Sequence, residues 1–157
     1  SSYRKVDGFP TGRRSGSTLL PCGITVPQEL NPLIYCNQKL LYDALYHSVS
    51  STINELAEDE KYLGAKVGYI CILHTWGSEM NFHSHIHVIL LGGGLTAKNQ
   101  WRDKGEEFFF LLSIIQTFPW KYLDELKTLW KIKNFTFTEA VKNTEITMLQ
   151  RADKYLL

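Results

Sequence analysis

The sequence has only three cysteines, and their spacing argues against the usual covalent and metal cross-links of small domains. Cys22, Cys36 and Cys71 are an odd number, and no C-x-x-C pair occurs. A disulfide framework uses an even number of cysteines, and a zinc ribbon needs paired C-x-x-C ligands. The pattern therefore favours a reducing, cytoplasmic setting.

Long apolar runs and an excess of charge of one sign are also absent. The longest apolar stretch, residues 108–112, extends past Ser113 only to Ile115, far short of the ~20 residues that a bilayer-spanning helix needs. The 17 basic and 16 acidic residues give a net charge of +1, so no overall positive field attracts nucleic acid. We therefore expect no membrane partner, and any DNA contact must be local.

Apolar residues make up 44% of the 157 positions, which is enough for one domain with a buried core. Apolar residues at helical spacing predict a helix over residues 38–58 and an amphipathic helix over 120–132. Residues 108–115 fit either a buried strand or the start of a helix. Residues 1–17 are polar and basic, and we expect a flexible arm there.

Two segments rich in β-branched and aromatic residues, 66–76 and 82–91, predict strands paired as an antiparallel hairpin. An earlier short strand near Leu19 is expected to be broken by Pro21 and Gly23. The sequence thus predicts an α+β domain built on an antiparallel sheet, with the two helices covering its buried face.

Three of the five histidines, His83, His85 and His87, occupy alternate positions of the second hairpin strand. Because side chains alternate across a strand, these imidazoles share one face, whereas Ile86 points to the other. Imidazoles at i and i+2 can lean toward one cation, with further ligands supplied by a neighbouring element. We predict a metal site here; the alternative is an exposed histidine-rich strand without function. His74, on the paired strand, fits either a neighbour of the site or a structural role.

The chain after this strand combines glycines with cations and an aromatic ring. Glycines allow a close approach of the backbone to a phosphate, and cations beside a stacking ring suit single-stranded nucleic acid. An ordinary hairpin turn has the same composition, so both interpretations stay open. The candidate DNA contacts are Gly92, Gly93, Gly94, Lys98, Trp101 and Arg102.

The segment "LHTWGSEMNFHSHIHVILLGGGL", residues 73–95, closely resembles the defining block of rolling-circle insertion-sequence transposases. These belong to the HUH (His, hydrophobic, His) endonuclease superfamily. Residues 26–72 resemble the upstream helix and strand of the same family, and "KYLDELK", residues 121–127, a later segment. The resemblance implies an HUH-like, RRM-like fold, with a central antiparallel sheet flanked by helices, and a bacterial, cytoplasmic protein.

The resemblance also implies an activity: metal-dependent nicking and joining of single-stranded DNA at transposon ends, through a 5′-phosphotyrosine intermediate. His85 and His87 would hold the cation, and His83 is a candidate for the third ligand. Imidazoles alone favour zinc, copper, iron or nickel, whereas phosphoryl transfer usually uses magnesium or manganese. The resemblance favours Mg²⁺ or Mn²⁺ as the cofactor. It leaves the oligomeric state open, a homodimer included.

The sequence departs from the family pattern at its expected nucleophile. The family's tyrosines lie in a helix well downstream of the histidines, so we expect the nucleophile to lie outside this chain. Tyr155 is a weak candidate, Tyr122 a weaker one, and relaxases of the superfamily leave Tyr42 or Tyr46 as further options.

Other departures concern the rest of the pattern. Ser84 replaces a proline that is usual within the histidine run, and no C-x-x-C pair of the family's N-terminal zinc module occurs in these 157 residues. We expect residues 18–157 to form one HUH-type nuclease domain, truncated before its catalytic helix. Two alternatives remain: a single-stranded nucleic-acid-binding module without catalysis, and a transition-metal hydrolase unrelated to DNA.

Overall fold

A computed structural model describes residues 19–77, 81–103 and 107–132. It has the predicted α+β architecture, an antiparallel sheet flanked by helices. In chain order the elements are β1 (Leu19–Thr25), a 3-10 turn (Gln28–Leu30), α1 (Asn31–Cys36), α2 (Gln38–Glu58), β2 (Lys66–Trp76), β3 (Phe82–Leu95), β4 (Trp101–Asp103) and α3 (Glu107–Lys131).

Strand β3 is the central strand of the sheet, with β1 on one side and β2 on the other, both antiparallel to it. The predicted hairpin of β2 and β3 is confirmed. Strand β3 runs four residues further than its predicted end at Leu91, and its last residues, Gly93 to Leu95, pair with β4. The short turn after Leu95 therefore closes a second hairpin.

The prediction that Pro21 and Gly23 break the first strand is wrong. Both residues lie inside the continuous strand β1, in register with Ile89 and His87 of β3. Because β1 is an edge strand, only part of its N–H groups are needed for pairing, and the missing N–H of Pro21 is tolerated.

The core lies between one face of the sheet and the helices α2 and α3. Helix α2 begins and ends where its apolar spacing predicts, and the residues of that stripe are buried, among them Leu41, Leu45 and Ile53. From β3 the core receives the even-numbered side chains Ile86, Val88 and Leu90. None of the described helices covers the other face of the sheet, which is called the open face below.

Helix α3 is one continuous helix, so residues 108–115 are helical and not a strand. It passes through Pro119, which removes one N–H from the helical ladder without ending the helix. The side chains of Ile114, Phe118 and Tyr122, at i, i+4 spacing, pack on the core. Burial of this stripe accounts for the continuity of α3 across the proline.

Several predictions fall on segments outside the described residues. These are the arm over 1–17, the turn of the predicted hairpin at 78–80, and the segment 134–157, which holds the candidate nucleophile Tyr155. In the part of the chain that the structure does describe, no helix is both long and apolar enough to cross a membrane.

Candidate metal centre

Three histidines converge on the open face of the sheet. In the register of the hairpin His74 of β2 stands opposite His85 of β3, and His87 stands opposite Ile72. The ring centroid of His74 lies 5.3 Å from that of His85 and 4.4 Å from that of His87, and the rings of His85 and His87 are 4.9 Å apart. One ring nitrogen from each residue lies within 4.8 Å of the other two.

The convergence follows from two local features. Alternation along β3 puts His85 and His87 on the face opposite Ile86, which is fully buried in the core. Cross-strand pairing then sets His74 beside them, because directly opposed residues of an antiparallel pair project to the same face.

The surroundings of His87 favour its neutral ring. Partial burial lowers the pKa of His87 from its ordinary value of 6.5, and the neighbouring imidazoles of His74 and His85 lower it further. Since a metal binds the neutral imidazole, the same crowding that opposes protonation leaves lone pairs available to a cation.

His85 has a second contact that bears on its metal-binding atom. Its Nδ1 lies 3.0 Å from the carbonyl oxygen of His83. A carbonyl oxygen only accepts, so this hydrogen bond requires the proton on Nδ1 and leaves the lone pair on Nε2. Metal-bound histidines commonly make this kind of contact through their other ring nitrogen.

His83, the sequence candidate for the third ligand, lies next to the group. Its ring centroid is 5.4 Å from that of His85, but among the described residues only His74, His85 and His87 form the convergent set. The sequence indicated His74 only as an optional neighbour. Only the register of the hairpin indicates that His74 lies opposite His85. That register depends on a bulge between His74 and Trp76.

The donor set fits a divalent cation. Three imidazoles from two adjacent strands leave further coordination positions toward solvent, as in catalytic metal sites. No described carboxylate belongs to the group. His74, His85 and His87 could therefore hold the cation while water or a phosphate oxygen fills the open positions.

The three predicted glycine contacts lie inside β3, and two of them are buried. A Cβ on Gly93 would overlap the ring of Trp101, and a Cβ on Gly94 would overlap the backbone of Lys66. Glycine is thus needed here for close approach of the neighbouring strands. This packing role explains why glycine stands at positions 93 and 94.

The other predicted DNA contacts lie on the second hairpin. Lys98 is exposed in the turn and Trp101 is 44% exposed on β4. Arg102, in contrast, pairs with Glu60 at 2.7 Å and donates to the carbonyl oxygens of Leu63 and Gly64 at 3.2 Å. Its guanidinium therefore fastens the loop before β2 to the end of the sheet.

The described tyrosines named as nucleophile candidates lie on the helix-covered side. The Tyr42 hydroxyl is 3.3 Å from Oγ of the buried Ser84, and Tyr46 packs against the core. Tyr122 is buried, and burial, followed by the nearby Tyr42, raises the pKa of its phenol well above the ordinary 10.0. None of these three hydroxyls faces the histidine group.

Fold and site together define a class: an α+β domain with a histidine-bearing antiparallel sheet. The solved conjugative relaxase TrwC has the same fold. Its metal-bound complex with oriT DNA has a TM-score of 0.52 at 15% identity, over 78% of this chain and 50% of the relaxase chain. Its copper-bound complex has a TM-score of 0.51 at 16% identity, over 85% and 54%.

The sequence identifies the family within that class. The family described as "Putative transposase" matches residues 68–155, more than half of the chain, and the chain belongs to it. The resemblance to rolling-circle insertion-sequence transposases is thereby confirmed.

Two curated relatives agree with this assignment. The chain is 32% identical over 92 residues to "Putative transposase y4qJ" of Sinorhizobium fredii, which covers 58% of this chain and 23% of the relative. It is 35% identical over 79 residues to the transposase for insertion sequence element IS801 of Pseudomonas savastanoi pv. phaseolicola, covering 50% and 18%. The matched region thus spans less than a quarter of either relative.

Proposed function

We propose that this chain is the metal-binding nuclease domain of an HUH-type transposase, which nicks and joins single-stranded DNA at transposon ends. The observation that carries the proposal is the convergence of ring nitrogens from His74, His85 and His87 within 4.8 Å on the open sheet face. Membership of the transposase family supports it. The solved relaxases of the same fold are described as complexes with oriT DNA, one metal-bound and one copper-bound.

In this proposal the three imidazoles hold a divalent cation and orient it toward solvent. When bound, the cation supplies positive charge that offsets the charge developing on the oxygens of a scissile phosphate. Partial burial and the neighbouring imidazoles lower the pKa of His87 and so favour its neutral, metal-binding form. Among the described residues, Ile70 and Ile72 are exposed next to the group, so that a flexible single strand can lie across this face.

The nicking step needs a tyrosine hydroxyl. Its oxygen attacks the phosphorus and its proton passes to water, while the P–O3′ bond breaks and the departing 3′-oxygen takes up a proton to become a free 3′-hydroxyl. The product is a 5′-phosphotyrosine ester, which conserves the bond energy for joining. Because Tyr42, Tyr46 and Tyr122 lie on the helix-covered side, we assign the attack to Tyr155 or to a tyrosine outside this chain.

The cation is proposed to be Mg²⁺ or Mn²⁺, in keeping with phosphoryl transfer. Imidazole-only ligation weakens the case for Mg²⁺, which prefers oxygen ligands, and makes Mn²⁺ the better probe. Of the predicted DNA contacts, the exposed Lys98 and Trp101 remain part of the proposal, since both are free of the core.

The test incubates the protein with labelled single-stranded oligonucleotides and Mn²⁺ and looks for a denaturant-resistant protein–DNA adduct. The proposal expects an adduct that requires Mn²⁺ and is lost in His85→Ala. The matched control is His47→Ala, since His47 lies exposed on α2, paired with Glu125 and away from the sheet. Tyr155→Phe abolishes the adduct if Tyr155 is the nucleophile.

Other outcomes of the same test identify the alternatives. Binding of the oligonucleotide without an adduct would favour a non-catalytic binding module, or an enzyme whose nucleophile lies on another segment. Tight zinc binding without affinity for DNA would favour a transition-metal hydrolase and overturn the proposal.

A further inference from the structure

The beginning of β3, where the histidine run starts, is held by three contacts from outside the β2–β3 hairpin. Asn31 Nδ2 donates to the carbonyl oxygen of Phe82 at 2.9 Å, and the Val26 N–H donates to that of Ser84 at 3.3 Å. The hydroxyls of Tyr42 and Ser84 share a hydrogen bond of 3.3 Å. Ser84 lies between His83 and His85 and is fully buried.

These contacts replace support that β2 does not give at this point. The register runs from His74 opposite His85 to Trp76 opposite Phe82. Two steps along β2 therefore correspond to three steps along β3, and the extra residue forms a bulge at positions 83 and 84. A bulge interrupts the ladder locally, so the orientation of the peptide between His83 and Ser84 depends on contacts from elsewhere.

That peptide group carries the carbonyl oxygen that accepts from Nδ1 of His85. Because a peptide group is planar, its oxygen turns with the whole unit, including the nitrogen of Ser84. On the helix-covered side of the sheet, the hydroxyl of Ser84 is hydrogen-bonded to the hydroxyl of Tyr42. A continuous path thus leads from the Tyr42 hydroxyl through Ser84 to the ring of His85.

We propose that Tyr42 and Ser84 are a positioning pair for His85. By fixing the 83–84 peptide, the pair keeps the proton on Nδ1 and turns Nε2 toward the metal. The inference rests on the proposed metal-binding function, and neither residue touches the cation. Loss of an outer contact of this kind typically weakens metal affinity about 10- to 100-fold.

The test compares Tyr42→Phe and Ser84→Ala with Tyr46→Phe. Tyr46 is a matched control because it lies one turn further along α2 and is also partly buried against the core. Each variant is titrated with Mn²⁺ and Co²⁺ by calorimetry. We expect about 10- to 100-fold weaker binding in Tyr42→Phe and Ser84→Ala, and wild-type binding in Tyr46→Phe. Tyr42 and Ser84 are proposed to act through the same chain of contacts. The double variant should therefore bind the metal no more weakly than whichever single variant has the lower affinity.

A second readout needs neither metal nor DNA. In metal-free protein at about pH 8, where imidazoles are neutral, the ¹⁵N shifts of His85 should show a protonated Nδ1 and an unprotonated Nε2. Tyr42→Phe and Ser84→Ala should shift His85 toward a mixture of tautomers. An unchanged tautomer in both variants, or equal metal affinity in Tyr42→Phe and Tyr46→Phe, overturns the inference. A protein that shows these shifts but neither binds single-stranded DNA nor forms an adduct with it contradicts the proposed nicking function alone.

Discussion

The choice of third ligand is the point at which sequence and structure lead to different experiments. The structure groups His74 with His85 and His87, whereas the sequence pattern favours His83. We expect His74→Ala to weaken Mn²⁺ binding by at least about 100-fold, or about 2.7 kcal/mol. This lower limit follows from the geometry, because His74 supplies one of the three convergent ring nitrogens. Loss of a residue that only supports a ligand already weakens metal affinity by up to about 100-fold.

His83→Ala is the matched variant, because it removes an imidazole whose ring is 5.4 Å from that of His85 but outside the convergent set. Its expected loss is below about 10-fold, less than removal of a ligand. Both affinities can be measured by calorimetry with Mn²⁺ and by competition with Co²⁺. His74 is exposed, so His74→Ala should leave the free energy of unfolding within about 0.5 kcal/mol of wild type. A greater loss of affinity in His83→Ala than in His74→Ala would refute the assignment.

Three further predictions concern titration and packing. In an NMR titration of metal-free protein, His87 should gain its proton below the ordinary 6.5, because burial lowers its pKa. Because His87 takes up its proton more readily in the unfolded chain than in the folded one, the free energy of unfolding should fall as pH falls below about 6.5. Burial raises the pKa of the Cys22 thiol from 9.0 to about 11. Between those pH values wild type should lose about 2 to 3 kcal/mol of stability relative to Cys22→Ala, and equal alkaline profiles would contradict this. Gly94→Ala should destabilise the domain by at least about 1 kcal/mol, because its Cβ would overlap the backbone of Lys66. Gly23→Ala, with no atom within 4 Å of the added Cβ, is the control in thermal unfolding.

The elements with strong periodicity could be predicted from the sequence. Helix α2 and the hairpin of β2 and β3 follow from apolar spacing of 3.6 and 2, since the repeat length itself selects the structure. Helix α3 was harder. Residues 108–115 are apolar at almost every position, so they carry no periodicity, and only packing of Ile114 and Phe118 on the core decides for helix.

Only the part of the candidate site that lies on a single strand could be predicted from the sequence. Alternation along β3 puts His85 and His87 on one face, and the structure has them there. The addition of His74 depends on cross-strand register and on a bulge, which no pattern within either strand encodes. The ion pair of Arg102 with Glu60 was not predictable for a similar reason, because the two residues are 42 positions apart in the chain.

The most direct measurement is anomalous diffraction from a crystal soaked in Mn²⁺. We expect a manganese peak on the open face of the sheet, about 2.0 to 2.3 Å from one ring nitrogen of each of His74, His85 and His87. A fully occupied peak elsewhere, or none at these rings in a crystal where the open face is unobstructed, would contradict the proposed metal site.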